Sequence, residues 1–137
     1  MTDTSALKFG DFDLRFLVMP GHALCNVYTI IDDRFIHVGD DVMASNDGAP
    51  LLPSVEFERL ADHAASLERL KDFSAYTFLL GHGQPLSGPR PILEAIDNRL
   101  RYLRAVLKSD RRISYADAVR DCTCVFLHQE WHEYLYE

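Results

Sequence analysis

His22, Asp40 and His82 are the residues of this 137-residue chain whose types and settings suit metal chemistry. They occur as Pro20-Gly21-His22, Gly39-Asp40 and Gly81-His82-Gly83. Each motif follows an apolar run: Leu14 to Met19, Phe35 to Val38, and Tyr76 to Leu80. A strand is expected to end at each motif, where glycine lets the backbone turn without a Cβ clash. Three such ends side by side in one sheet would aim two imidazoles and a carboxylate at one place. That donor set suits zinc, manganese or iron(II).

The elements that must position them read as strands followed by helices. Lys8 to Asp13 is a short strand and turn leading into Leu14 to Met19, and Cys25 to Ile31 is a second strand rich in β-branched residues. Asp32-Asp33 turns the chain into Arg34 to Val38, and Ser45 to Pro50 has loop composition. Ser54 is expected to cap a helix carrying Phe57, Leu60, Ala61, Ala64, Leu67 and Leu70 at spacings of three and four. After the strand Tyr76 to Leu80, a second helix carries Ile92, Ile96, Leu100, Leu103 and Leu107. Ser114 with Asp117 reads as a capping box for a third, short helix, and Cys122 to Glu137 is an apolar, aromatic tail. Leu14, Phe16 and Val18 alternate with Leu17 and Met19, so both sheet faces are apolar, as in a sheet covered on both sides. Two amphipathic helices cover one face; little is left for the other.

Length favours a single domain over residues 1–137. The formal net charge of -7 argues against nucleic acid as a partner. The basic stretch Arg99, Arg101, Arg104, Lys108, Arg111 and Arg112 reads as a solvated helix face and C-terminus. Met1 to Ser5 is polar with no leader-like run after it, and no apolar run is long enough to span a bilayer. Three cysteines, two of them as Cys122-x-Cys124, do not make a disulfide framework or a zinc knuckle. The expectation is a soluble, cytoplasmic protein without a membrane partner.

The remaining polar residues have plainer readings. His63, near Glu56, Arg59 and Asp62, is expected on a helix surface, and His37 is expected in a strand, facing core or interface. Cys25 reads as a small strand residue of the core. Asp41 either orients a ligand or is an ordinary turn residue. His128 and His132 stand four apart but lack the Glu of a zincin motif, so surface or packing roles are expected.

Pro-Gly-His, Gly-Asp and Gly-His-Gly, in that order, resemble the C-terminal half of the metallo-β-lactamase superfamily. The hairpin in the first gap, and the helix plus strand in the second, match that topology over residues 8–109. The segment 110–137 is then a helical tail. The resemblance implies an α+β fold: half of an αββα sandwich, a mixed or antiparallel sheet with helices on one face. It implies that His22 binds a first metal, Asp40 bridges two, and His82 binds the second. The helix around Arg99 also resembles the one that follows the last motif in glyoxalase II-like hydrolases. Where family members usually continue with Thr after Pro-Gly-His, this chain has Ala23, Leu24 and Cys25.

The superfamily signature His-x-His-x-Asp-His is absent, because no His-x-His occurs in the chain. The resemblance therefore implies about half of the usual fold and half of its ligands. In the family a metal-bound hydroxide attacks an ester, thioester or related bond. Three readings stay open. The chain is part of a zinc (alternatively iron or manganese) hydrolase acting on a small molecule and completed by a complementary N-terminal-half chain. Or His22, Asp40 and His82 hold one metal by themselves. Or the chain is a non-catalytic half-domain, a structural or binding module that forms a homodimer over its second sheet face.

Overall fold

Residues 5–128 and 130–137 are described by a computed structural model. The polar residues from Met1 to Thr4, read above for the lack of a leader, lie outside the described residues. Five strands form the main sheet: β1 (Ser5–Phe9), β2 (Phe12–Val18), β3 (Val27–Ile31), β4 (Phe35–His37) and, later in the chain, Thr77–Leu79. The first four pair antiparallel in sequence order, and Thr77–Leu79 then joins β4 in parallel. Asp32 and Asp33 both take φ of 52°, which suits a tight hairpin turn between β3 and β4.

Between these strands the chain makes a second, three-stranded sheet. It consists of β5 (Met43–Ala44), β6 (Pro50–Leu52) and, near the chain end, Val125–Phe126. Ser45 to Pro50 turns between β5 and β6, with the Ser45 amide donating to the Ala49 carbonyl at 2.9 Å. Helix α1 (Leu60–Leu70) follows a 3-10 turn at Phe57–Arg59; no side chain caps it, so the expected Ser54 cap is absent. The parallel strand Thr77–Leu79 is β7, and α2 (Pro89–Lys108) comes next, begun by Gly88 at φ 94° and two early prolines. In the tail, Ser114 caps α3 (Tyr115–Ala118) by accepting from the Asp117 amide at 3.2 Å. Val125–Phe126 is β8, parallel to β6, and α4 (Glu130–Tyr134) ends the chain.

The core lies on one side of the main sheet. Tyr28, Ile30, Ile36 and Phe78 point to that side and pack with Leu60, Leu67 and Leu70 of α1 and Ile92, Ile96 and Leu100 of α2. The register puts Leu7, Leu14, Ile31 and Phe35 in one row of the opposite face, and Phe16, Thr29, His37 and Leu79 in the next. Nothing in the described chain covers this face. Phe9 is 69% exposed, and Leu7, Phe12 and Val18 are each more than half exposed. His37 is exposed here and does not face the core. Among the described residues, no helix is long and apolar enough to cross a membrane.

The tail closes around an aromatic cluster. Phe126 meets Tyr102, Tyr115 and Trp131 within 6.3 Å between ring centroids. His132 is fully buried there, bonded to the Tyr102 hydroxyl at 2.9 Å and to the Ile113 carbonyl at 2.8 Å. His128 precedes α4 and is exposed, so the two histidines share no helix face. A packing role for His132 follows from its partners.

Candidate metal centre

Strands β2, β4 and β7 run in the same direction, so their C-terminal ends lie along one end of the main sheet. His22, Asp40 and His82 follow these ends. The His22 Nε2 lies 3.8 Å from one carboxylate oxygen of Asp40, and the His82 Nε2 lies 3.5 Å from the other. Tetrahedral zinc, with bonds of about 2.0–2.2 Å, leaves neighbouring donors roughly 3.4 Å apart. Both separations are close to that edge length. Each imidazole–carboxylate pair is thus spaced roughly as two donors to one cation would be. Among the described residues, no group of three His, Cys, Asp or Glu is gathered closely enough to hold one ion.

Local contacts build this arrangement. The Gly81 amide donates to the Gly39 carbonyl at 2.8 Å, and the Ala44 amide donates to the His82 carbonyl at 3.0 Å. These bonds lock the His82 turn onto the Asp40 turn. A Cβ on Gly81 would stand 2.2 Å from an Asp40 carboxylate oxygen, so only glycine leaves that carboxylate its place. His22 Nδ1 lies 2.6 Å from the Ser54 carbonyl. A carbonyl only accepts, so Nδ1 carries the proton and Nε2 presents its lone pair toward Asp40. Ser54 thus serves this site rather than a helix start.

Behind the site is a second carboxylate. Asp41 is fully buried and accepts hydrogen bonds from the Tyr28 hydroxyl, from Asn26 Nδ2 at 2.8 Å and from the His22 amide at 3.2 Å. Of the two roles open for Asp41, the contacts support orientation: it holds the backbone that carries His22. Burial raises its pKa to about 6, against the opposing pull of the Tyr28 and His22 hydrogen bonds.

His63 faces Asp41 from α1, with Nδ1 3.5 Å from a carboxylate oxygen. It is 1% exposed, so the expected surface position is wrong. Leu60, His63, Leu67 and Leu70 share one helical stripe, and that spacing was the available signal. Burial lowers its pKa to about 3, helped by nearby His22 and Arg99, and the ring is neutral at neutral pH. Its Nδ1 has no hydrogen-bond partner, and a Cβ on Gly21 would come within 2.5 Å of it. Gly21 is thus the space that admits His63 beneath the His22 turn. Ser66 of the same helix donates to the Pro20 carbonyl at 2.6 Å, fixing α1 to that turn.

Two more readings are corrected. Arg99 is not on a solvated face: it is 2% exposed on the inner stripe of α2, donating to the Ala95 carbonyl at 2.6 Å and to the Met43 carbonyl. It ties α2 to the small sheet. Arg101, Arg104, Lys108, Arg111 and Arg112 are exposed, as expected. Cys25 stands exposed in the turn before β3, outside the core and outside a strand.

A cleft of about 340 Å³ opens beside His22, Asp40 and His82. Met43, Ala44 and Leu51 of the small sheet line it, with Pro53 and Ser54. Leu127 and Trp131 close it from the tail. The tail is therefore a wall of this site.

No family model matches the chain, and no curated protein sequence matches it. Solved structures do. An archaeal metallo-β-lactamase superfamily protein from Sulfolobus tokodaii is 22% identical with a TM-score of 0.57, over 80% of this chain and 39% of its own. A metallo-β-lactamase family protein from Thermus thermophilus is 23% identical with a TM-score of 0.56, over 81% of this chain and 38% of its own. A stereoselective inverting sec-alkylsulfatase from a Pseudomonas species is 11% identical with a TM-score of 0.58, over 96% of this chain and 23% of its own. The chain spans about two fifths, or less, of the length of these structures. The likeness, at 22–23% identity, is one of fold: the described residues adopt a partial metallo-β-lactamase fold.

Proposed function

We propose that this chain supplies half of the metal shell of a hydrolase that cleaves an ester, thioester or related bond in a small molecule. One observation carries the reading: two imidazole Nε2 atoms face separate oxygens of one carboxylate at the end of one sheet. When bound there, zinc, iron or manganese would polarise the scissile carbonyl and acidify a water. His22, its tautomer set by the Ser54 carbonyl, would hold the metal together with Asp40 and His82. Asp41 holds the His22 backbone, and the Gly81–Gly39 bond holds His82 to Asp40. In the reaction, water adds to the acyl carbon, the C–O or C–S bond breaks, and the departing alcohol or thiol takes the proton. A zinc site takes four donors, so His22, Asp40 and His82 would need further donors beside them. A complementary half chain, bringing the missing donors and covering the bare sheet face, would complete it. The three free thiols, Cys25, Cys122 and Cys124, suit the reducing cytoplasm.

Metal analysis of the purified, metal-loaded chain tests the reading. Bound zinc, iron or manganese that is lost in both His22→Ala and His82→Ala is expected. A folded wild-type protein that retains none of the three would overturn it.

The bare apolar face favours a second reading, a non-catalytic binding module that is homodimeric over that face. Sedimentation separates the two: a stable dimer with no metal supports the module, and a metal-bearing monomer supports the hydrolase half.

A further inference from the structure

The cleft beside the candidate metal centre joins the three candidate ligands and the uncharged polar residues Ser45, Asn46 and Ser54 to a set of apolar side chains. Met43, Leu51, Pro53, Leu127 and Trp131 form its apolar wall. Its described lining residues include no Lys or Arg, and Asp40 is the single carboxylate. A second charged group on a ligand, carried into the apolar wall, would lose its water and gain no counter-charge. Leu127 is 65% exposed and Trp131 is only partly covered, which leaves apolar surface open at the rim. A cleft of about 340 Å³ falls within the range of small-molecule sites.

We infer that this cleft takes an uncharged, apolar acyl chain, with its polar head beside His22, Asp40 and His82 and the chain along Leu51, Leu127 and Trp131. The inference rests on the hydrolase reading for its polar head and names the substrate class: esters or thioesters of apolar acids. The tail thereby contributes to specificity, because it supplies Leu127 and Trp131, two of the five apolar wall residues.

Trp131 is the only tryptophan, so its fluorescence reads the wall directly. Metal-free protein is titrated with octanamide, with acetamide, and with an eight-carbon amide bearing a terminal carboxylate. Octanamide should shift the emission saturably; the short and the charged amides should bind at least about tenfold more weakly. Leu127→Glu, at an exposed position, should keep its circular dichroism spectrum and lose about tenfold in octanamide affinity. No saturable shift in the folded wild type, equal response to all three amides, or undiminished binding by Leu127→Glu would each overturn the inference. No metal enters this titration. Failure of metal retention therefore sinks the hydrolase reading and the ester or thioester substrate class with it, while apolar-chain binding is judged by octanamide; failure of octanamide binding sinks the acyl cleft alone.

Discussion

The two faces of the main sheet are made by the same strands with the same alternation, yet they live in different solvents. Tyr28, Ile30, Ile36 and Phe78 are at most 1% exposed beneath α1 and α2. Their neighbours on the other side include Phe9, Phe12, Leu7 and Val18, all more than half exposed. Side-chain type therefore does not tell the faces apart; what lies above them does. Fully burying one such side chain is worth about 1.5–3 kcal/mol. The bare face holds stabilisation that the described chain does not use, and a covering layer would draw on it.

Mutation can sharpen this contrast. Phe78→Ala should cost about 3–5 kcal/mol in chemical denaturation, because α1 and α2 cannot collapse into the gap. Phe9→Ala on the other face should stay within about 0.5 kcal/mol, and a cost near that of Phe78 would show that the face is already covered in solution.

Acid should act through the inner side. His63 titrates near 3 folded against 6.5 unfolded, so below pH 6.5 the unfolded state binds the extra proton and stability falls. Asp41 titrates near 6 folded against 3.8 unfolded, so there the folded state binds first and stability rises as pH drops from 6 to about 4. The two oppose each other over that window, and wild-type stability should be nearly level across it, then fall between about pH 4 and 3. Asp41→Asn removes the offset, and its stability should decline steadily from pH 6.5. Urea midpoints measured at half-unit steps check both curves, and parallel curves for the two proteins would refute the assignment.

Asp41→Ala at neutral pH should cost about 2–3 kcal/mol, since Tyr28, Asn26 and the His22 amide lose their acceptor. His37→Ala, on the bare face, should cost close to nothing. The smallest folding effect belongs to Phe9→Ser with Phe12→Ser. Its midpoint should not move, while binding of an apolar dye to the sheet should drop. If a homodimer forms there, the same double variant should sediment as a monomer.

The strand ends were legible because glycine marks them in the sequence. Gly21, Gly39 and Gly81 correctly located the turns carrying His22, Asp40 and His82, and the parallel return of β7 set Gly81 beside Gly39. Polar residues within apolar stripes were harder to read. His63 and Arg99 keep the helical spacing of their leucine and isoleucine neighbours, but polarity pointed outward and tertiary contacts decided otherwise. The small sheet was hidden for another reason. Strands of two and three residues have no period, and β6 meets β8 in parallel across most of the second half of the chain. Cys25 read as strand because β-branched residues follow it closely, whereas β3 begins only at Val27.

The hydrogen bond from the Gly81 amide to the Gly39 carbonyl gives the site a built-in reporter. That amide exchanges with deuterium only when the two turns separate, so its exchange rate counts how often Asp40 and His82 part. A site assembled before any ion arrives would exchange slowly at Gly81 in the metal-free chain. A site assembled by the ion would exchange quickly there and slow down on loading, which makes one backbone proton a measure of preorganisation.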